Sequence, residues 1–319
     1  MKGTNRYLLL ISDKSGAVLM LVLWALVLLT IMVTEFAYSM KTEVTSTRNF
    51  KEGAEMYYAA MAALNLAKAE ILDRNNNTYL DKSGRLVFGE KGPERSSIIG
   101  NTEYSYEIID EDRKLNINSA SSEQIRYVLK ESGIEDSVLD MLVDSIMDWK
   151  DADNLLRLNG AEDEYYGSLT KPYSCKDDLF DSIDELILVN GFKPEMIYGS
   201  KDGKYRGLHR YMTARSSGMV NINTADWIVL ESVFGPAAAA NIIQQRTAGP
   251  IIIPIAGGII RSGYFSIFAS GGRGKIVRTI RAVVVKRNDT TLDVISWNDN
   301  WTGFDQYDHK KGSAGERVD

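Results

Sequence analysis

The sequence predicts an α+β fold: one long N-terminal helix, a small antiparallel sheet, and a helical repeat lying between the two parts of that sheet. Three observations carry this. An uncharged apolar run, Ala17–Val33, opens a helical periodicity that continues to about Leu72, and the first proline is Pro93. Alternating apolar and polar residues, the mark of strands, occur around residues 104–110 and again after residue 263. Between them Leu115-Asn116-Ile117-Asn118-Ser119-Ala120 recurs as Val220-Asn221-Ile222-Asn223-Thr224-Ala225.

The helix comes first. An apolar run of this length is enough to cross a ~30 Å hydrocarbon layer, which takes about 17–25 helical residues. It follows a short basic leader with Lys2, Arg6 and Lys14 against Asp13, ending in Gly16. A secretory signal has a shorter apolar core and a small-residue cleavage site, which Thr34-Glu35-Phe36-Ala37-Tyr38 does not supply. Two readings are left: a plain signal anchor, and a prepilin leader cut between Gly16 and Ala17, on the cytoplasmic side of the run. Beyond the run, Val33, Phe36, Met40 and Val44, then Ala54, Tyr57, Met61, Leu64 and Ile71, recur mostly at spacings of three or four. Gly53 costs roughly 1 kcal/mol relative to alanine and does not end the helix. At 1.5 Å per residue the rod is on the order of 80 Å long. Asp73-Arg74-Asn75-Asn76-Asn77 is its polar stop.

The strands are Tyr104–Asp110 and, near the C-terminus, Tyr264–Phe268, Lys275–Lys286 and Leu292–Trp297. Ser270-Gly271-Gly272-Arg273-Gly274 and Asn288-Asp289 read as turns between them. Gly249–Gly258, with two prolines, reads as a buried or edge-lying connection. Residues 298–319 are polar and read as a disordered tail.

Each copy of the repeat precedes a helix, a glycine turn (Gly133-Ile134 or Gly235-Pro236) and a second helix. Ser119 and Thr224 are expected N-caps, because a hydroxyl can accept from orphan amides of the first turn. Ile183–Phe192 is a partial third unit. Such units look like helix-hairpin-helix modules, which raises a membrane-tethered DNA receptor of the competence type as an alternative function. Charge opposes it: residues 111–200 hold 20 Asp and Glu against 9 Lys and Arg. Phosphate is repelled there, no nucleic acid is expected, and the repeat reads as a packing unit.

The acidic residues bunch in Asp148-Trp149-Lys150-Asp151-Ala152-Asp153-Asn154 and Gly160-Ala161-Glu162-Asp163-Glu164-Tyr165-Tyr166. Oxygen donors on a loop after a helix suit a hard cation such as Ca²⁺, although EF-hand spacing is missing and a solvated acidic loop is the competing reading. One cysteine, Cys175, excludes an intrachain disulfide and a multi-cysteine metal site. Two separated histidines, His209 and His309, give little basis for a histidine metal centre or a Ser-His-Asp triad.

With these motifs in place the chain resembles the minor pseudopilin K family of the bacterial type II secretion system, over roughly residues 10–297. The resemblance rests on the Gly16 leader and apolar helix, the Leu115-Asn116-Ile117-Asn118 segment and the Asp148–Asp153 loop. Gly160-Ala161-Glu162 with Tyr165-Tyr166, Pro172-Tyr173, Asp184-Glu185-Leu186 and Asn221–Ala225 complete it. It implies a pilin-like fold with a large helical domain inserted between strands, and no catalytic residue. It also implies an inner-membrane anchor with the globular part in the periplasm, processing by a prepilin peptidase, and a place at the pseudopilus tip with the I- and J-type minor pseudopilins. A calcium site in the acidic loop is implied too, with Asp151, Asp153 and Glu162 as the leading ligands and Asp177 or Asp163 as a further oxygen source. Partner helices are expected on Val33, Phe36, Met40 and Val44.

On this reading the segments are leader 1–16, transmembrane and pilin helix 17–72, first sheet part 73–118, inserted helical domain 119–212, second repeat unit 213–248, C-terminal sheet 249–297 and tail 298–319. Ala17 departs from the phenylalanine or methionine often found after the cleavage point. Leu21, the fifth residue after it, stands where most pilins carry glutamate. A carboxylate in the bilayer costs about 2.5–3.5 kcal/mol by insertion scales and needs a partner. A subunit with no subunit ahead of it has no use for one, so Leu21 agrees with a tip position.

Overall fold

The computed structural model describes residues 14–73, 78–80, 86–88, 95–274, 276–288 and 290–301. Two units divide the chain, Met1–Glu55 and Met56–Asp319. Helix α1 is a single 59-residue element, Lys14–Leu72, ending where the predicted polar stop begins. Residues 16–51 of it are exposed along their whole length.

Within the second unit, α1 buries Met56, Ala59, Ala60, Ala63, Leu64, Ala67 and Ile71, a helical stripe made mainly of alanine. Small side chains let a helix lie close on a sheet, and this stripe meets Ile108, Ile267, Ala269, Ile280, Ala282 and Val284 in one core. Of the residues read as that stripe, Leu64 and Ile71 are buried in it, while Ala54, Tyr57 and Met61 lie on its half-buried flank.

The sheet has five strands: β1 (Ser96–Ile99), β2 (Thr102–Asp110), β3 (Tyr264–Arg273), β4 (Ile276–Lys286) and β5 (Leu292–Trp301). Neighbours in space follow chain order and all pairs are antiparallel. Two sequence expectations change here. The Ser270–Gly274 run is not a break: β3 continues to Arg273, paired with Ile276. Gly271 is in the strand because a Cβ there would stand 2.1 Å from the Met56 carbonyl oxygen of α1. The tail begins later than residue 298, because β5 runs on to Trp301, whose ring lies 4.8 Å from the Arg281 guanidinium and 5.9 Å from Phe268. Residues 302–319 lie outside the described residues.

Everything between β2 and β3 forms the insertion, with helices α2 (Ser122–Glu131), α3 (Asp136–Lys150), α4 (Asp163–Gly167), α5 (Pro194–Tyr198), α6 (Trp227–Phe234) and α7 (Pro236–Ala248). Its core gathers Ile125, Val128 and Leu129 of α2 with Leu142 and Ile146 of α3 and Ile228–Leu230 of α6. The insertion leans on the sheet face opposite α1: Ser266 Oγ donates to Glu111 Oε1 at 2.6 Å, and Arg281 Nη1 reaches Asp184 Oδ2 at 3.5 Å.

The two repeat copies use their asparagines identically. Asn116 Oδ1 accepts from Asn118 N, and Asn221 Oδ1 from Asn223 N, each at 2.9 Å. The second asparagine of each copy then clamps a distant backbone segment. Asn118 accepts from Phe180 N at 2.8 Å and donates to Phe180 O at 2.9 Å; Asn223 does the same with Ile251 at 2.8 and 2.9 Å. These turns delay the helices by two residues, so the N-caps are Ser121, in a capping box with Gln124, and Asp226, not Ser119 and Thr224. The Thr224 hydroxyl donates instead to Asp110 Oδ2. Of the two readings of the Gly249–Gly258 connection, buried or edge-lying, burial does not hold: Ile252 and Ile253 stand 78% and 73% exposed, and only Gly258, which pairs with Val220, is buried.

Candidate functional site: an acidic cage in the insertion

The cage is built at the C-terminal end of α3. Lys150, the last residue of that helix, donates to the Ile117 carbonyl at 2.8 Å and to Ala120 O at 3.3 Å, which ties the helix end to the first repeat. Two residues earlier, Asp148 is fully buried. It pairs with Arg157 Nε at 3.2 Å and accepts from Arg157 N at 3.3 Å, folding the 151–160 loop back on the helix. Gly160 closes that loop so tightly that a Cβ there would lie 1.8 Å from Asp148 Oδ2.

Glu162 follows, immediately before α4, yet its side chain does not cap that helix. Its carboxylate points inward instead. Ligating atoms of Glu162, Cys175 and Asp177 lie within 4.8 Å of one another. Glu162 is only 5% exposed, and neither of its carboxylate oxygens receives a hydrogen bond. Asp151 Oδ1 and Asp177 Oδ1 are likewise buried without a partner. Four carboxylate oxygens left in this condition are costly, since a buried polar group without a partner loses its hydration and gains nothing. Burial and the neighbouring Asp148 push the Glu162 carboxyl up to about 7. Burial likewise lifts Asp148 to about 6 and the Cys175 thiol to about 12. Asp177 sits in the left-handed region at φ 51°, uncommon for a residue with a side chain.

Of the residues read from the sequence, the fold gathers Glu162 and Asp177; Asp151 lies outside that cluster but close enough for its charge to help raise the Glu162 carboxyl, and its Oδ2 pairs with Arg157 Nη2 at 3.3 Å. Asp153 stands apart, exposed, its Oδ1 accepting from Leu155 N at 2.9 Å in a local turn. Asp163 Oδ1 is taken by Cys175 N at 2.8 Å, which positions the cysteine backbone rather than the cage. Sequence reasoning missed Cys175 as a donor. Its spacing of two from Asp177 was the available signal.

The residues proposed to meet membrane or partner helices are all exposed on α1: Leu21 70%, Val33 59%, Phe36 68%, Met40 46% and Val44 62%. Gly16 and Ala17 lie exposed in the first turn of that helix, which starts at Lys14. The helix from Gly16 is long and apolar enough to cross a membrane. Thr30 and Thr34 return their hydroxyls to the Leu26 and Thr30 carbonyls at 2.7 Å, which satisfies these two donors within the helix itself.

Residues 105–215, which contain the whole cage, match the family described as type II secretion system (T2SS), protein K. The type II secretion system protein K of Aeromonas hydrophila is 26% identical over 234 residues, 66% of this chain and 67% of that protein. The chain is similar to the type II secretion system protein K family. Its relative in Pectobacterium carotovorum subsp. carotovorum is 32% identical over 130 residues, 38% of this chain and 37% of that one. The member in Pseudomonas aeruginosa is 30% identical over 138 residues, covering 42% and 39%. Among solved structures, a chain of the GspK-GspI-GspJ complex from enterotoxigenic Escherichia coli superposes with a TM-score of 0.59 at 16% identity, over 81% of this chain and 98% of that one. The likeness extends the shared fold well beyond the stretch matched in sequence.

Proposed function

We propose that this chain is a minor pseudopilin of the type II secretion system, which caps the periplasmic pseudopilus together with I- and J-type minor pseudopilins and promotes protein export. The observation that carries this reading is the division of labour along α1. Its C-terminal stripe is consumed by the sheet, while the apolar run Ala17–Val33 and the side chains of Phe36, Met40 and Val44 are exposed and free for lipid and neighbouring helices. The insertion is too bulky to repeat along a thin filament, so one copy at the tip is the steric expectation. The likeness to a protein solved with GspI and GspJ supports the choice of partners. The anchor spans the inner membrane once, with residues after it in the periplasm, and a prepilin peptidase cuts between Gly16 and Ala17.

The acidic cage holds calcium on this reading. Asp151, Glu162 and Asp177 supply oxygen donors and backbone carbonyls complete the six to eight that Ca²⁺ takes. The unpartnered buried oxygens fit that role, and Asp153 belongs to the neighbouring turn. A bound divalent ion offsets the mutual repulsion of these carboxylates and staples a long connection.

Two measurements test the proposal together. Intact-mass analysis of the membrane form should show loss of residues 1–16, with Gly16→Val blocking the cut. Co-expressed I- and J-type partners should copurify with the chain, and Phe36→Asp should weaken their capture. A retained leader in an active secretion system, or undiminished capture by the Phe36→Asp variant, counts against it. Tight binding of duplex DNA at physiological salt would favour the competence-type receptor instead.

A further inference from the structure

Cys175 changes what the cage can hold. Its sulfur is the third member of the cluster with Glu162 and Asp177, and the residue is only 6% exposed. The thiol donates to Asp148 O at 3.7 Å, a weak bond that is easily given up. The second and independent observation is Glu162, 95% buried by the same measure, with both oxygens unpartnered beside that sulfur. Calcium draws on oxygen alone and gains nothing from a thiol. Thiolate ligands select softer ions such as zinc.

We propose that the cage is a mixed sulfur–oxygen site that takes a thiophilic divalent cation, with Cys175 Sγ, Glu162 and Asp177 as ligands, in competition with calcium at the same carboxylates. This deepens, and rests on, the reading of the cage as a metal site. Separations within 4.8 Å can be bridged by one ion with bonds of about 2.0–2.3 Å after a small contraction. On binding, the S–H proton leaves to solvent and a metal–sulfur bond forms, with no change of oxidation state. Coordination makes up for the burial that otherwise keeps the thiol protonated. Three protein ligands leave a fourth tetrahedral position for water or for Asp151 Oδ1. The ion would be held out of bulk solvent, which slows its exchange.

The test uses the full-length chain in detergent, stripped with chelator and titrated with Cd²⁺. Because the sequence has a single cysteine, a thiolate-to-cadmium charge-transfer band can only come from Cys175. The band should saturate at one ion per chain, be displaced by Zn²⁺ and be lost in Cys175→Ala. Glu162→Gln and Asp177→Asn should each weaken Cd²⁺ binding about tenfold or more, the range seen when groups supporting a metal site are removed. Cys175→Ser serves as a second variant of near-native size should alanine unfold the cage. No band in the wild type at excess Cd²⁺, or a band whose affinity ignores both carboxylate variants, overturns the proposal. Melting with Ca²⁺ separates the two readings. A calcium shift that survives Cys175→Ala, alongside the cadmium band, supports both. A calcium shift without the band overturns the mixed site alone. The band without a calcium shift overturns the calcium reading alone.

Discussion

Gly160 and Asp148 show how much of the cage depends on single atoms. With a Cβ at residue 160 only 1.8 Å from a fully buried carboxylate, Gly160→Ala forces Asp148 away from Arg157. We expect a loss of about 1–3 kcal/mol, typical of overpacking, read as a lower denaturant midpoint at unchanged m-value. Asp110 offers a second residue-scale test, at the junction of sheet and insertion. It accepts from Asp112 N at 2.9 Å, from Asn221 Nδ2 at 3.3 Å and from the Thr224 hydroxyl. Burial nevertheless dominates and raises its carboxyl from 3.8 to about 6. The folded state then holds a proton that the unfolded state has released between those values. The group's contribution is therefore largest below about pH 4, declines as pH rises towards about 6, and is level above that. Denaturant midpoints from about pH 4 to 7 should show that slope in the wild type, and Asp110→Asn should reduce it by this group's share, the raised Asp148 and Glu162 carboxyls supplying the remainder. Legibility at this scale was uneven. The carboxylates were visible because they bunch in the sequence. Cys175 was not, because only the fold brings a residue thirteen positions beyond Glu162 against it, and Asp153, though in the same run, is spent on a turn.

At the scale of elements the sequence was readable wherever a pattern had one dominant cause. The long apolar periodicity yielded α1, and alternation yielded β2, β4 and the start of β3. The misreadings come from residues answering to a distant neighbour. Gly271 and Gly272 look like a turn, but Gly271 is glycine because the Met56 carbonyl of α1 passes over it. The N-caps fell two residues later than expected because Asn116 and Asn221 first fold their own turns. The alanine stripe of α1 escaped notice because large residues were weighted above small ones. Gly271→Ala tests the closeness of this packing. Its Cβ would also stand 2.9 Å from Ala60 N, so backbone rather than a flexible side chain must yield. A loss of about 3 kcal/mol is expected in chemical denaturation, at the upper end of overpacking costs. A variant as stable as the wild type would mean that helix and sheet are packed more loosely than described.

For the molecule as a whole, the calcium reading makes the stability of the insertion conditional on its surroundings. Ligand that binds only the folded state adds roughly RT ln(1 + [L]/Kd), about 2.7 kcal/mol at a hundredfold excess over Kd. The full-length chain in detergent should therefore melt higher with Ca²⁺ than with chelator, and Glu162→Gln should erase the difference. Identical curves in the wild type would return the cage to a solvated acidic loop. A different consequence follows from how the insertion is attached. The strand that leaves for it, β2, and the strand that returns, β3, are adjacent partners, paired through to Asp110 and Phe265. Glu111 N still donates to Tyr264 O at 2.9 Å, beyond the last pair. The two ends of some 150 residues thus lie about as far apart as neighbouring strands, ~5 Å, a span that a two-residue hairpin covers. Sheet register is therefore indifferent to what fills the gap. The insertion behaves as a cassette: a hairpin can replace it and leave a five-stranded meander, and the cage-bearing piece can be transplanted onto another antiparallel pair.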